Sequence, residues 1–186
     1  MRYKYGRHSE ISRRELAFIG IAAAAVVLSA LAVFYGGQGN GEAPSTETAG
    51  VEELSTKGFV PVKPLADVVE GRGLITLEGD CYRLTAGTDQ GQAESIKDGL
   101  QGITGPRPNT HEPMRDVFEA LDIEVLMVKV TELRDGNFFG KIILQQGDTV
   151  LSLDSKPSDG IALAIRTGKT IYFNETLLKE RGQKIC

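Results

Sequence analysis

The chain has 186 residues, 41% of them hydrophobic and 25% charged, which fits one ordinary folded domain with appendages and excludes a wholly disordered chain. Its formal charge is −4, from 21 Lys and Arg against 25 Asp and Glu, so any nucleic-acid role must rest on a local basic patch and not on bulk charge. Two cysteines, no tryptophan and 6% aromatics exclude a disulfide framework, a four-cysteine zinc site and an advertised base-stacking platform.

Residues 1–15 form a basic tail, with Arg2, Lys4, Arg7, Arg13 and Arg14 against Glu10 and Glu15. Leu16–Tyr35 follows without a charge, and its length reaches the roughly 20 apolar residues that a helix needs to cross a bilayer. Residues 36–57 form a linker rich in Gly, Ser, Thr, Pro and Glu, and basic residues are missing from Gly36–Thr56. The positive-inside rule then predicts a single-pass protein of the cell membrane, with its N-terminus in the cytoplasm and the remainder outside. A signal peptide cut after Ala30-Leu31-Ala32 is the rival reading, and Ser12-Arg13-Arg14 resembles a loose twin-arginine export signal. The length of the apolar run favours the uncleaved anchor. Either reading puts a domain of residues 58–186 outside the cytoplasm.

Within that domain, Phe59–Val69 is β-rich, and Pro61 and Pro64 suit it to an edge strand. Leu74–Leu77 and Tyr82–Thr85 read as strands joined by a turn at Glu78-Gly79-Asp80, with Cys81 as a small core residue. Asp89 and Gln92 read as a capping box for a helix carrying Ala93, Ile96 and Leu100. Thr110 is the expected N-cap of a second helix, whose apolar face is Met114, Val117, Phe118 and Leu121. Three strands follow, Ile123–Thr131, Phe138–Gln145 and Thr149–Asp154, turning at Asp135-Gly136 and Gly147-Asp148. Lys156-Pro157-Ser158 opens a mostly apolar helix that Gly168 can end. A short strand, Thr170–Phe173, and a terminal helix, Glu175–Glu180, complete the chain. Strands and helices are segregated, so the expected class is α+β: a single domain with an antiparallel or mixed sheet packed by three to four helices, preceded by one transmembrane helix.

Three segments carry a family resemblance: Arg107-Pro108-Asn109-Thr110-His111, then Thr131 to Gly136, then Asp154-Ser155-Lys156-Pro157-Ser158-Asp159-Gly160 running on to Arg166. In order and spacing they resemble the bifunctional nuclease family, and Gly87–Ile96 resembles that family's glycine-led first helix. The likeness covers roughly Pro61 to Leu178. Three features depart from it: Lys156 stands where Arg is usual, Gly160 where a small methyl-bearing residue is usual, and the segment Thr88 to Gln92 is more polar than usual. Lysine offers a point charge where arginine offers a planar fork. The resemblance implies hydrolysis of phosphodiesters in RNA or DNA and assembly into dimers or higher homo-oligomers.

Such hydrolysis needs an activated water, neutralisation of the phosphate and a proton for the leaving oxygen. The catalytic candidates are Asp154, Asp159, Glu132 and His111, the last being the domain's single histidine. Carboxylates could hold a divalent cation such as Mg²⁺, with no metal identified by the residues themselves. Arg107, Arg134, Lys156 and Arg166 are the candidate phosphate ligands; salt bridges to Asp135, Asp154 or Asp159 are the competing use for them. Asp159 also suits the positive end of a helix dipole, Asp135 a plain turn, and Ser158 a helix start. Two function classes stand side by side: a membrane-tethered nuclease outside the cytoplasm, and a non-catalytic oligomeric binding or assembly module at the cell surface.

Overall fold

The computed structural model describes residues 51–186, so the basic tail, the expected membrane span and the linker up to residue 50 lie outside the described residues. Among the described residues no helix is long and apolar enough to cross a membrane. A single helical turn, α1 (Val51–Leu54), precedes a three-stranded meander, β1 (Phe59–Val69), β2 (Arg72–Gly79) and β3 (Tyr82–Thr88). Helices α2 (Gln90–Gln101) and α3 (His111–Ala120) lead into a second meander, β4 (Glu124–Arg134), β5 (Asn137–Gln146) and β6 (Thr149–Ser155). The chain ends with α4 (Pro157–Thr167), β7 (Ile171–Asn174), α5 (Glu175–Arg181) and β8 (Gln183–Lys184).

All eight strands join one mixed sheet in the order β6-β5-β4-β7-β1-β2-β3-β8, parallel only between β4 and β7. The architecture is the expected α+β domain with four helices longer than one turn. The placement of β1 corrects the edge-strand expectation: it is interior, pairing β7 through Phe59–Val62 and β2 through Lys63–Val69. Each stretch is paired on one side only, so a proline nitrogen has an open flank to point towards, the condition that an edge strand would have supplied.

Turn chemistry sets the meanders. Asp135 and Gly136 both take positive φ, 49° and 76°, as a tight hairpin requires. The β2–β3 turn lies one residue later than its sequence suggests, at Asp80 (φ 46°) and Cys81 (φ 65°). Cys81 is therefore exposed in a turn and not a core residue, and it forms a disulfide with Cys186 across a Cα separation of 5.2 Å. The bond holds the C-terminal residues beside β3, where β8 pairs Tyr82 and Arg83.

Helices α2 and α4 pack together and against the sheet, burying Ala93 and Ile96 of α2 and Ile161 to Ala164 of α4 against Val128, Ile142 and Phe173. Gly160 lets α4 approach closely: a Cβ there would lie 2.8 Å from Val128 Cγ1. Of the apolar face expected for α3 only Phe118 packs on the core: Met114, Val117 and Leu121 are 37%, 51% and 55% exposed. That helix is anchored by its first two residues, His111 and Glu112, together with half-buried Phe118.

The segment before β1 lies on the β4–β6 side of the sheet. Buried Lys129 donates to the carbonyls of Glu53 (2.6 Å) and Ser55 (2.8 Å), while the Glu53 carboxylate accepts from Lys141 (2.8 Å) and Ser152 (3.0 Å). Burial lowers the Lys129 pKa, and the hydrogen bond from Lys141 lowers that of Glu53.

Candidate functional site

The first turn of α4 collects side chains from α2 and α3, and the local sequence explains how. Lys156 occupies the N-cap position in extended backbone, and Pro157 at N1 presets the helical φ. Ser158 and Asp159 then fall in the first turn, Ser158 facing inward and buried, Asp159 half-exposed. Asp159 Oδ1 accepts from Gln92 Nε2 at 2.9 Å and lies 3.4 Å from His111 Nε2. His111 Nδ1 is 2.9 Å from Ser95 Oγ. These contacts assign the tautomer: the proton sits on Nε2 facing the carboxylate, and Nδ1 accepts from the serine hydroxyl. Gln92 Oε1 accepts from Thr88 Oγ1 (2.6 Å) and Ser158 Oγ (2.8 Å), completing a relay from Ser95 through His111, Asp159 and Gln92 to the β3–α4 side.

His111 is 7% exposed, and that burial pushes its pKa below the ordinary 6.5; the nearby Arg166 charge pushes the same way, while Asp159 opposes it. The imidazole is thus held neutral near pH 7, where it donates one hydrogen bond to Asp159 and orients it. With Oδ1 taking both bonds, the second oxygen, Oδ2, is left for water.

Two expected caps serve the cluster instead. Asp89 sits at the N-cap of α2 without a side-chain cap bond; its carboxylate pairs with Lys156 at 2.7 Å. Gln92 does not reach back to close a capping box, because its amide is committed to Asp159 and its carbonyl to the two hydroxyls. Thr110 likewise makes no side-chain cap bond; Asn109 Oδ1 accepts from the His111 N–H at 2.9 Å.

Of the sequence-derived candidates, His111, Asp159 and Lys156 meet around this turn. Arg166 lies behind it, with its guanidinium donating to Glu112 Oε1 (2.7 Å from Nε), Ala162 O (3.0 Å) and Ser95 O (2.9 Å). The Arg166 and Glu112 side chains are each 4% exposed, so a phosphate could not reach this arginine without breaking the ion pair. Asp154 pairs in register with Lys141 across β5–β6; that lysine's pKa is raised chiefly by the hydrogen bond it donates to Glu53 and further by the Asp154 charge. Glu132 and Arg134 are exposed and pair with each other at 2.8 Å on β4, where the Arg134 guanidinium stacks 4.2 Å above the Phe139 ring. Arg107 is exposed on the α2–α3 connector. Among the described residues no group of three or more His, Cys, Asp or Glu is placed to hold a metal ion. The Asp159 carboxylate faces the His111 N–H and the Gln92 amide, a surrounding that does not fit Mg²⁺.

Gln92, Ser95, Thr88 and Glu112 belong to the cluster but were not candidates from sequence. One signal existed: Gln92 and Ser95 are polar at i and i+3 on the same face of α2 as its few apolar residues, a pattern that propensity alone does not explain.

Residues 80–185 match the family described as the bifunctional nuclease domain. A Mycobacterium tuberculosis (strain H37Rv) protein, named only as uncharacterized, is 35% identical over 104 residues, covering 56% of this chain and 61% of that one. Bifunctional nuclease 1 of Oryza sativa subsp. indica is 28% identical over 89 residues, covering 46% of this chain and 27% of the rice protein. The bifunctional nuclease of Oryza minuta aligns to the same extent, 28% over 89 residues, with 46% and 27% coverage. The chain thus spans 61% of the mycobacterial relative and about a quarter of the rice ones.

Proposed function

This chain belongs to the bifunctional nuclease domain family, and on that premise we propose that it hydrolyses phosphodiester bonds of RNA or DNA at the α4 turn. The observation that carries the reading is a half-exposed carboxylate, Asp159, held by a buried neutral histidine and a glutamine, with a lysine at the adjacent N-cap. In this reading Asp159 Oδ2 takes the proton of a water as its oxygen attacks phosphorus. Lys156, half-exposed, leaves Asp89 to neutralise the non-bridging oxygens. The P–O bond to the leaving nucleoside breaks, and solvent protonates the departing oxygen. His111 and Gln92 act as positioning residues through Asp159.

The test is cleavage of labelled RNA and single-stranded DNA by the full chain, with and without Mg²⁺ or Mn²⁺. Removing a general base costs roughly 10²-fold or more, so Asp159→Asn should reduce cleavage by at least that. Cleavage that survives Asp159→Asn unchanged defeats the assignment.

We place the domain outside the cytoplasm, tethered by residues 16–35. The charge asymmetry around that run supports this, and so does the Cys81–Cys186 disulfide, a bond that persists in oxidising compartments. Protease added to intact cells should digest the domain; protection until the cells are broken would reverse the topology. The exposed Met114, Val117 and Leu121 of α3 support assembly with further copies, to be read by light scattering across concentration.

A further inference from the structure

Strand β6 leads into the first turn of α4, yet little in its own residues fixes it. It is an edge strand, laddered to β5 alone from Thr149 to Ser155. None of its seven residues is buried, whereas β5 buries Gly140 and Ile142 to Leu144. A strand held by one ladder and no buried side chain is free to open locally. Beyond Ser155 the chain enters Lys156 and Pro157 with no loop between, so a shift of β6 is passed to the start of α4.

A second fastening comes from the segment before β1. Val128 packs towards α4, so the strand period turns Lys129 to the opposite face of β4. Lys129 is 3% exposed there; its ammonium donates to Glu53 O and Ser55 O and lies 5.3 Å from the centroid of the Phe59 ring. The Glu53 carboxylate divides between two strands: Oε1 accepts from Lys141 of β5 and Oε2 from Ser152 of β6. The other end of the segment is bound into the sheet, where Gly58 O accepts from the Glu175 N–H at 2.9 Å. Lifting the Glu53 end strands no charge: water replaces the two carbonyls at Lys129, and Glu53 and Lys141 are already partly exposed.

We propose that residues 53–55 are a strap that controls how firmly β6 and the first turn of α4 are held. Fastened, it clamps β6 to β5 and keeps Lys156 beside Asp89; lifted, it lets both elements fray. Whatever draws on the chain before residue 51 acts on the Glu53 end first, since the Gly58 end is tied to the sheet. The strap stands on this geometry; that it governs a hydrolytic site rests on the nuclease reading of Asp159.

The test is hydrogen exchange read by mass spectrometry on the full chain, native and Glu53→Ala. Peptides over Thr149–Gly160 report β6 and the α4 turn, where the Asp159 and Gly160 N–H groups donate to Lys156 O. Peptides over Arg72–Gly79 report the other meander. Loss of the charged bridge should speed exchange of both β6 and the Asp159 and Gly160 amides by about tenfold, and change Arg72–Gly79 by less than about twofold. Ser152→Ala should act on the same amides, by about threefold, and the double variant should exchange no faster than Glu53→Ala, since both act through one carboxylate. Ser152→Ala decides the matter if Glu53→Ala does not fold. Unchanged exchange, equal acceleration in both meanders, or acceleration of β6 with the α4 turn unmoved would overturn the proposal. RNA cleavage by a native chain whose β6 ignores Glu53→Ala would keep the nuclease reading and remove the strap. Selective exchange without cleavage would keep the strap and remove the nuclease reading.

Discussion

Arg166 is the residue whose two readings differ most in consequence. If it is a phosphate ligand, Arg166→Ala weakens substrate binding and leaves the fold nearly untouched. The structure puts its guanidinium behind the site, bonded to Glu112, Ala162 O and Ser95 O, with both charged side chains 4% exposed. Removing one member of a buried pair strands the other charge, at a cost of about 3–5 kcal/mol. Glu112 has no spare partner to absorb that loss, since its Oε2 is already buried without a hydrogen bond among the described residues. The Ser95 carbonyl loses a charged donor as well, worth roughly 1–3 kcal/mol. Against a total stability of about 5–15 kcal/mol, Arg166→Ala should bring the domain close to unfolding under native conditions. Arg166→Lys keeps the charge but loses the fork that serves three acceptors, and about 1–2 kcal/mol should go. Urea unfolding of the full chain, followed by circular dichroism, ranks native, Lys and Ala forms. An Arg166→Ala chain with the native midpoint and impaired RNA binding would refute the buried-pair argument and return Arg166 to the substrate.

Gly99 tests the same pair from the other helix: a Cβ there would come within 2.8 Å of Arg166 Nη1. Gly99→Ala should therefore lose roughly 1–3 kcal/mol of overpacking against a helix-propensity gain of about 1 kcal/mol, where an unconstrained helix glycine would show only the gain. The lowered His111 pKa has a definite sign. The unfolded histidine takes up a proton as pH falls below 6.5 while the buried one does not, so stability should decline on acidification through that range until the folded pKa is reached. His111→Asn should remove that part of the slope in urea midpoints measured from pH 7.5 downward; an unchanged slope would mean another group carries it. Reducing the Cys81–Cys186 bond reopens a loop with a sequence separation of 105, worth at most about 4–5 kcal/mol by chain entropy. A thiol reductant should lower the native chain's urea midpoint and leave a Cys81→Ala/Cys186→Ala chain unmoved; the same midpoint with and without reductant would contradict the loop-closure argument.

Elements held by local chemistry were legible in the residues. The Asp135-Gly136 hairpin, the helix opening at Lys156-Pro157 and the two meanders follow from turn preferences, proline's fixed φ and alternating apolar positions, each acting over a few residues. The meeting of His111, Asp159 and Lys156 was legible only as a resemblance among separated motifs. What tertiary structure decided is partnership. Glu112 and Arg166 are 54 residues apart, Gln92 and Asp159 are 67 apart, and Cys81 and Cys186 are 105 apart. Neither member of those pairs carries a local mark of the other. The interior place of β1 and the exposed stripe of α3 have the same origin: periodicity says which face is apolar, and the order of strands says what lies opposite it. A motif arginine thus read as a ligand for phosphate until the packing of α2 on α4 surrounded it with a carboxylate and two carbonyls.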